Sequence, residues 1–303
     1  MKFIILCGGI GKRNNNYSLP KPLNYINGRH MISYSIESIP SNEIYIIYNN
    51  KLKEYNFEEI VINEFKNHIF KFASIEYLTR GAVESAYIGL NELSISKDEQ
   101  VIFIDNDNIH IYPKTIIANN SFIGYSIDYE KSNYSFINID NGLITDIQEK
   151  NKISDYYCCG IYGFKNLDLF KNYALRLLKS NIKSKNEFYF STLYKLMIES
   201  DEKIFPMKIY HTYHLGTKTE ITSNEVISSK ASKLRICFDL DNTLVSYPTI
   251  PNDYTSVSPI DKNIKLLRYL KNNGHEIIIY TARRMKTHKN DIGKVMKDIA
   301  LIT

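Results

Sequence analysis

The sequence predicts an α/β fold: a mostly parallel, twisted sheet flanked by helices, followed by a partial second α/β domain. Three observations predict it. Residues 1–6 form a short apolar run, long enough for one buried strand, that stops at the glycine-rich turn Cys7-Gly8-Gly9-Ile10-Gly11-Lys12-Arg13. Beyond it, β-branched apolar segments alternate with helix-like ones, the pattern of parallel strands joined by helical crossovers. After the small, polar stretch Ser228-Ser229-Lys230-Ala231-Ser232-Lys233 the pattern starts again with a fresh apolar strand.

The elements follow in order. Residues 44–48, 74–78 and 101–104 read as buried strands, rich in β-branched side chains. Residues 31–38 and 83–93 read as the helices between them. Residues 133–146 read as a hairpin turning at Asp140-Asn141-Gly142. The organisation expected is one domain over residues 1–225, a linker over 226–233 and a partial domain over 234–303. In the last, 234–240 reads as a strand, 261–272 as a helix and 276–280 as a strand.

Composition narrows the function classes. At 303 residues, with 44% hydrophobic and 23% charged residues, the chain has the balance of a globular protein. A net charge of +5 without a basic, aromatic-interleaved run gives no support for a nucleic-acid partner. No apolar stretch approaches the ~18 residues of a membrane helix, and the N-terminal run ends too soon for a signal peptide. Cys7, Cys158, Cys159 and Cys237 contain no Cys-x-x-Cys pair. They read as reduced thiols of a cytoplasmic protein. Homo-oligomer formation stays open.

The glycine turn has the chemistry of a phosphate cradle. Glycine lets the backbone come close to an anion and turns its N–H groups toward it. Lys12 and Arg13 add charge where a triphosphate would lie. The spacing is neither that of a P-loop, which closes on Gly-Lys-Ser/Thr, nor that of the dinucleotide fingerprint. Instead Leu19-Pro20-Lys21-Pro22-Leu23 follows, where two prolines hold Lys21 in a stiff segment.

The glycine turn ending in Arg13, followed by Pro20-Lys21-Pro22, resembles the sugar-phosphate nucleotidyltransferase family, whose fold is Rossmann-like. Other pieces appear in that family's order: Thr79-Arg80-Gly81-Ala82, Asp105-Asn106-Asp107-Asn108, Gln148-Glu149-Lys150, Cys159-Gly160-Ile161-Tyr162 and His214-Leu215-Gly216-Thr217. The resemblance covers residues 1–225. It implies a Mg²⁺-dependent transfer of a nucleotide from an NTP to a sugar or polyol phosphate, with release of pyrophosphate. The product would be an activated sugar for capsule or surface polysaccharide. CTP is the favoured nucleotide, with UTP and dTTP open.

The resemblance also assigns residues. Leu6, Cys7, Gly8, Gly9, Gly11, Lys12, Thr79 and Gly81 would bind the nucleotide. Arg13, Lys21 and Lys150 would be catalytic. Ser135, Glu149, Lys150 and Cys159 would bind the sugar phosphate. Asp107 would hold Mg²⁺, with Asp105 beside it or as an alternative ligand. His214 stands where many relatives have a second metal-binding aspartate; it could ligate metal, contact phosphate or pack. Ser135 stands where many relatives have glycine, which points to an unusual acceptor.

The C-terminal segment carries Asp239-Leu240-Asp241-Asn242-Thr243 at a strand end and Thr281-Ala282-Arg283-Arg284 at the next. These resemble the first two motifs of the haloacid-dehalogenase-type (HAD-like) phosphatases. That implies Asp239 as nucleophile, Asp241 as general acid/base and Thr281 holding the phosphoryl group. About 70 residues follow the linker, short of a usual domain. Ile299-Ala300-Leu301-Ile302 could begin a further strand, so the segment reads as an incomplete phosphatase in a truncated or remnant form. The alternatives to a transferase are a sugar-phosphate phosphatase and an inactive nucleotide-binding regulatory module.

Overall fold

The structure, a computed structural model, describes residues 1–9, 19–128, 133–222, 235–272 and 275–299. The expected loop residues Gly11, Lys12 and Arg13 and the expected linker lie outside the described residues, as do residues 300–302. The chain divides into two compact units, Met1–Asn224 and Glu225–Thr303.

In the first unit, β1 (Lys2–Cys7) is central. A small hairpin of β2 (Tyr25–Ile26) and β3 (Arg29–His30) leads into α1 (Met31–Ser38). β4 (Glu43–Asn49), α2 (Phe57–Glu64), β5 (Ile69–Ile75), α3 (Ala82–Gly89) and β6 (Val101–Asp105) follow. β1 lies between β4 and β6, parallel to both, and β5 pairs parallel with β4. The sheet continues through β7 (Asn108–Ile111), which leaves it, then β8 (Ser121–Ile127), β9 (Ser135–Asp140), β10 (Leu143–Glu149) and β11 (Tyr156–Phe164). β11 runs antiparallel to β6, β8 and β9. α4 (Leu167–Ser180), α5 (Phe190–Ile198), β12 (Ile204–Lys208), β13 (His211–His214) and α6 (Lys218–Thr222) complete the unit. β12 extends β8 in parallel, and β13 pairs with β7. Among the described residues this makes one nine-stranded, helix-flanked sheet, parallel at β6-β1-β4-β5 and antiparallel around β11.

Strand periodicity explains why helices cover both faces. Along β1, Ile4 and Leu6 join one buried cluster with residues of α3, α4 and α5. Phe3, Ile5 and Cys7 join another with residues of α1 and α2. A side-chain period of two on a continuously apolar strand leaves both faces to be covered.

The α1 and hairpin expectations match the structure, and the hairpin turn has φ of 48° at Asn141 and 77° at Gly142. Two positive values in succession match the twist of the flanking strands. Two boundaries differ. The expected strand at 74–78 is β5, which begins at Ile69 because its register with β4 pairs Ile69 with Glu43 and Ile75 with Asn49. The expected helix at 83–93 ends at Gly89. A Cβ at Gly89 would lie 2.3 Å from Ile47 Cγ2, so the helix end packs directly on β4.

The second unit pairs β14 (Arg235–Asp239) in parallel with β15 (Glu276–Tyr280). α7 (Asp261–Asn272) connects them and α8 (Ile292–Ile299) follows. Ile299 is the last residue of α8 and 4% exposed, so it does not open a further strand.

Candidate functional site

The carboxyl ends of β1 and β6 and the start of α3 meet at the point where the chain crosses from one side of β1 to the other. Open α/β sheets bind ligands at such a place. Leu6 and Cys7 are buried at the end of β1. Burial lifts the Cys7 thiol far above its ordinary range, so it packs rather than reacts. Gly8 abuts α3: a Cβ there would lie 2.6 Å from Ser85 Oγ. Ser85 and Thr79 share a hydroxyl hydrogen bond of 2.6 Å. Gly81 has no room for a side chain, since its Cβ would lie 2.5 Å from the Phe188 nitrogen. Thr79, Gly81 and Gly8 are therefore brought together, and Gly9 is exposed.

Lys21 opens a short 3-10 turn, Lys21–Leu23, capped by Pro20 and carrying Pro22. Its ammonium pairs with Asp107 Oδ2 at 2.5 Å. The main chain holds Asp107 as well, because the Leu215 N–H donates to its carbonyl at 2.7 Å.

Asp107 belongs to a cleft of about 290 Å³ that also includes Asp105, Ser135, Glu149, Lys150 and Ser191. The hairpin register places Ser135 opposite Glu149. The Ser135 hydroxyl donates to the Glu149 carboxylate, and the Ser191 hydroxyl donates to the same oxygen at 2.6 Å. Lys150 follows with a positive φ of 52°. Its ammonium donates to Tyr189 Oη at 3.1 Å and lies 3.8 Å from Glu149. Cys159 lies in the wall, but burial pushes its thiol up to about 12, leaving it a neutral packing group. Asp105 is pushed up to about 7 by burial and by the neighbouring charge of Asp107.

His214 sits in the cleft wall between the rings of Tyr134 and Tyr157, at 4.8 and 5.7 Å. Both its nitrogens are engaged, Nδ1 with Asn108 Oδ1 at 2.8 Å and Nε2 with Tyr157 Oη at 3.3 Å. Metal ligation would break one of these bonds. Glu220, on the short helix six residues later, is better placed. A Cβ on Gly216 would lie 2.9 Å from Asp107 Oδ2 and 3.4 Å from Glu220 Oε2, so both carboxylates border the same small space. Two hard oxygen donors suit Mg²⁺, which needs only one or two protein carboxylates beside substrate phosphates and water. Among the described residues no cluster of three or more His, Cys, Asp or Glu could hold a metal. Glu220, Ser191 and Tyr189 escaped the sequence analysis. Only the acidic residue in the first turn after Gly216-Thr217 left a legible signal.

In the second unit, Asp239 ends β14. Asp241 is gripped by Arg283, whose Nε and Nη2 donate to Oδ1 at 2.8 and 2.6 Å. Thr281 Oγ1 donates to Asp241 Oδ2 at 3.2 Å. Arg283 is 4% exposed and stacks on Tyr254 at 4.5 Å. The sequence analysis assigned it no role.

Residues 236–303 match the haloacid dehalogenase-like hydrolase family. No curated protein matches the chain. Solved structures resemble its larger part. One is a nucleoside-diphosphate-sugar pyrophosphorylase from Vibrio cholerae RC9: 19% identity over 73% of this chain and 98% of that one, TM-score 0.64. Another is the inositol-1-phosphate CTP transferase from T. maritima: 13% identity over 77% and 96%, TM-score 0.60. A third is the CTP:phosphocholine cytidylyltransferase from Streptococcus pneumoniae: 18% identity over 75% and 98%, TM-score 0.58. The chain thus joins a region with the sugar-nucleotidyltransferase fold to a haloacid dehalogenase-like segment.

Proposed function

We propose that residues 1–224 form a Mg²⁺-dependent nucleotidyltransferase that couples an NTP to a sugar or polyol phosphate and releases pyrophosphate. The product is a nucleotide-activated sugar for capsule or surface polysaccharide, made in the cytoplasm where NTPs are found. The observation that carries this is the convergence of distant residues on one cleft: Asp107, paired with Lys21, and the Glu149–Lys150 pair. CTP is the favoured nucleotide, as two of the similar structures are named as CTP-using enzymes, with UTP and dTTP as the alternatives, as others are named for UDP-glucose or thymidylyl transfer.

Asp107 and Glu220 would hold Mg²⁺, and Asp105 would not be needed as a ligand. The bound ion would supply the charge neutralisation that lets two polyanions approach. Lys21 and Arg13 neutralise the triphosphate and the charge that develops at the α-phosphorus. Lys150 holds the acceptor phosphate. Glu149, oriented by Ser135 and Ser191, accepts a hydroxyl of the acceptor. An acceptor phosphate oxygen bonds to the α-phosphorus as the bond to the β-phosphate breaks. The nucleophile is already an anion, so no protein group must remove a proton. Pyrophosphate release measured with each NTP against a panel of sugar and polyol phosphates tests the proposal. Release with none of the pairs would refute it.

We also infer that residues 235–299 carry the first half of a phosphomonoesterase site, on the family match and the hydrogen bond from Thr281 to Asp241. Asp239 would attack the phosphorus, and Asp241 would give the leaving alkoxide its proton.

A further inference from the structure

The acceptor side of the cleft is short of positive charge. Lys150 is the one cation among the described residues that line it, whereas Glu149 and Glu187 are both there. The Lys150 ammonium lies 3.8 Å from Glu149, which offsets part of its charge. A phosphate brought to that ammonium needs further donors, because an anion leaving water is stabilised by hydrogen bonds as well as by a paired charge. Most of the cleft hydroxyls are already spent. Ser135 and Ser191 donate to Glu149, and Tyr134 donates to Glu220 at 2.7 Å. Tyr189 differs. Its oxygen accepts from Lys150 at 3.1 Å, which leaves the O–H without an acceptor among the described residues. Tyr162 also lines the cleft without a hydroxyl partner, but it is Tyr189 that meets the ammonium.

Tyr189 is fixed from both sides. Before it, the Phe188 N–H donates to the Arg80 carbonyl at 2.9 Å, and the Val83 N–H donates to the Phe188 carbonyl at 3.2 Å. The Phe188 ring is buried, with the Arg80 and Lys183 cations 4.9 and 5.2 Å from its centre. After it, Ser191 is tied to Glu149. The Lys150 ammonium lies 4.9 Å from the centre of the Tyr189 ring. Phenol and ammonium therefore present two donors side by side before any ligand arrives. Burial holds the Tyr189 hydroxyl above its ordinary range, so it stays protonated and able to donate.

We propose that Tyr189 is a phosphate-binding residue of the acceptor site, its O–H donating to one phosphate oxygen while Lys150 donates to another. This rests on the transferase reading of the cleft, which puts the acceptor phosphate at Lys150. A phosphomonoester has three terminal oxygens, one to attack and one for each donor. The Tyr189 bond goes to an oxygen that does not attack, since a donor on the attacking oxygen would lower its nucleophilicity. The bond is made in the ground state and kept in the transition state. Loss of the hydroxyl then raises the KM for the acceptor and leaves kcat nearly unchanged.

Inorganic phosphate is the probe, titrated into the full chain and followed by the broadening of its ³¹P resonance. Tyr189→Phe keeps the ring beside the ammonium and removes only the hydroxyl. It should weaken phosphate binding about tenfold, the scale of one hydrogen bond to a charged group. Lys150→Met should weaken it at least as much. The Cζ carbon of Tyr189, labelled with ¹³C and assigned by its absence from Tyr189→Phe, should shift on saturation with phosphate. An unchanged affinity in Tyr189→Phe overturns the proposal, whether Lys150→Met weakens binding or not. A weakened affinity without the Cζ shift overturns it too, because the hydroxyl would then only hold Lys150. Binding needs no turnover: a phosphate site that follows Tyr189, in a chain that releases no pyrophosphate from any NTP, would overturn the transferase reading while leaving the phosphate site standing.

Discussion

Lys21 is held by two proline neighbours and paired with Asp107 at 2.5 Å, so its charge is positioned before a substrate arrives. Preorganised charge is what a phosphoryl-type transition state uses. Lys21→Ala should lower the rate of pyrophosphate release by roughly 10²-fold with a smaller change in KM; near wild-type turnover would remove Lys21 from the mechanism. Glu220 and His214 compete for one assignment. Glu220→Gln should raise the Mg²⁺ concentration for half-maximal activity several-fold, whereas His214→Ala should leave that titration in place. The reverse pattern would restore the histidine as a ligand. His110 makes a different prediction. It is 4% exposed, bonded to Thr212 at 3.2 Å, and pushed down to about 3 by burial and, to a smaller degree, by His214. The unfolded chain then binds a proton below about pH 6.5 that the folded chain refuses until about pH 3. Stability should therefore fall as pH drops through that window, by an amount on the order of several kcal/mol. His110→Gln should flatten that slope in denaturant titrations at pH 7, 5.5 and 4.5.

At the scale of elements, the bulge in β11 has the clearest consequence. Gly160 combines a left-handed φ with crowding by Asp105 and Asn108, whereas Gly142 has a comparable φ of 77° and nothing within 4 Å of its Cβ position. Gly142→Ala meets only backbone strain. Gly160→Ala adds a steric clash, and should cost about 2 kcal/mol or more of unfolding free energy and weaken acceptor binding. Equal urea midpoints for the two variants would contradict this. The expected strand at 74–78 shows why element bounds were only partly legible. The apolar pattern is shared by residues 69–75, and the register with β4, a long-range contact, selects among the possibilities.

For the whole molecule, each candidate site draws its residues from one compact unit. The cleft residues all fall within Met1–Asn224, and Asp239, Asp241, Thr281 and Arg283 fall within Glu225–Thr303. Asp239→Asn should therefore leave pyrophosphate release within about twofold of the wild-type rate, as expected of sites without shared partners. A fall of tenfold or more would couple the two chemistries. Among the described residues no helix is long and apolar enough to cross a membrane.

The sequence by itself determined the alternation of strands and helices, the restart near residue 234, and the chemistry that follows strands: the glycine turn after residues 1–6, the Asp105-Asn106-Asp107 run after 101–104 and Asp239 within 234–240. These are local properties, written in periodicity and in the chemistry of neighbouring residues. Only the tertiary structure decided which of them meet. Ser191 reaches Glu149 across 42 positions of sequence, Lys21 reaches Asp107 across 86, and Arg283 closes on Asp241 across 42. His214 and Glu220 lie six residues apart, yet the pairing of β13 with β7 ties the histidine to Asn108 while the turn at Gly216 directs the glutamate toward Asp107. A hydrogen bond between distant residues depends on strand register and close packing. Neither leaves a periodic trace in the chain.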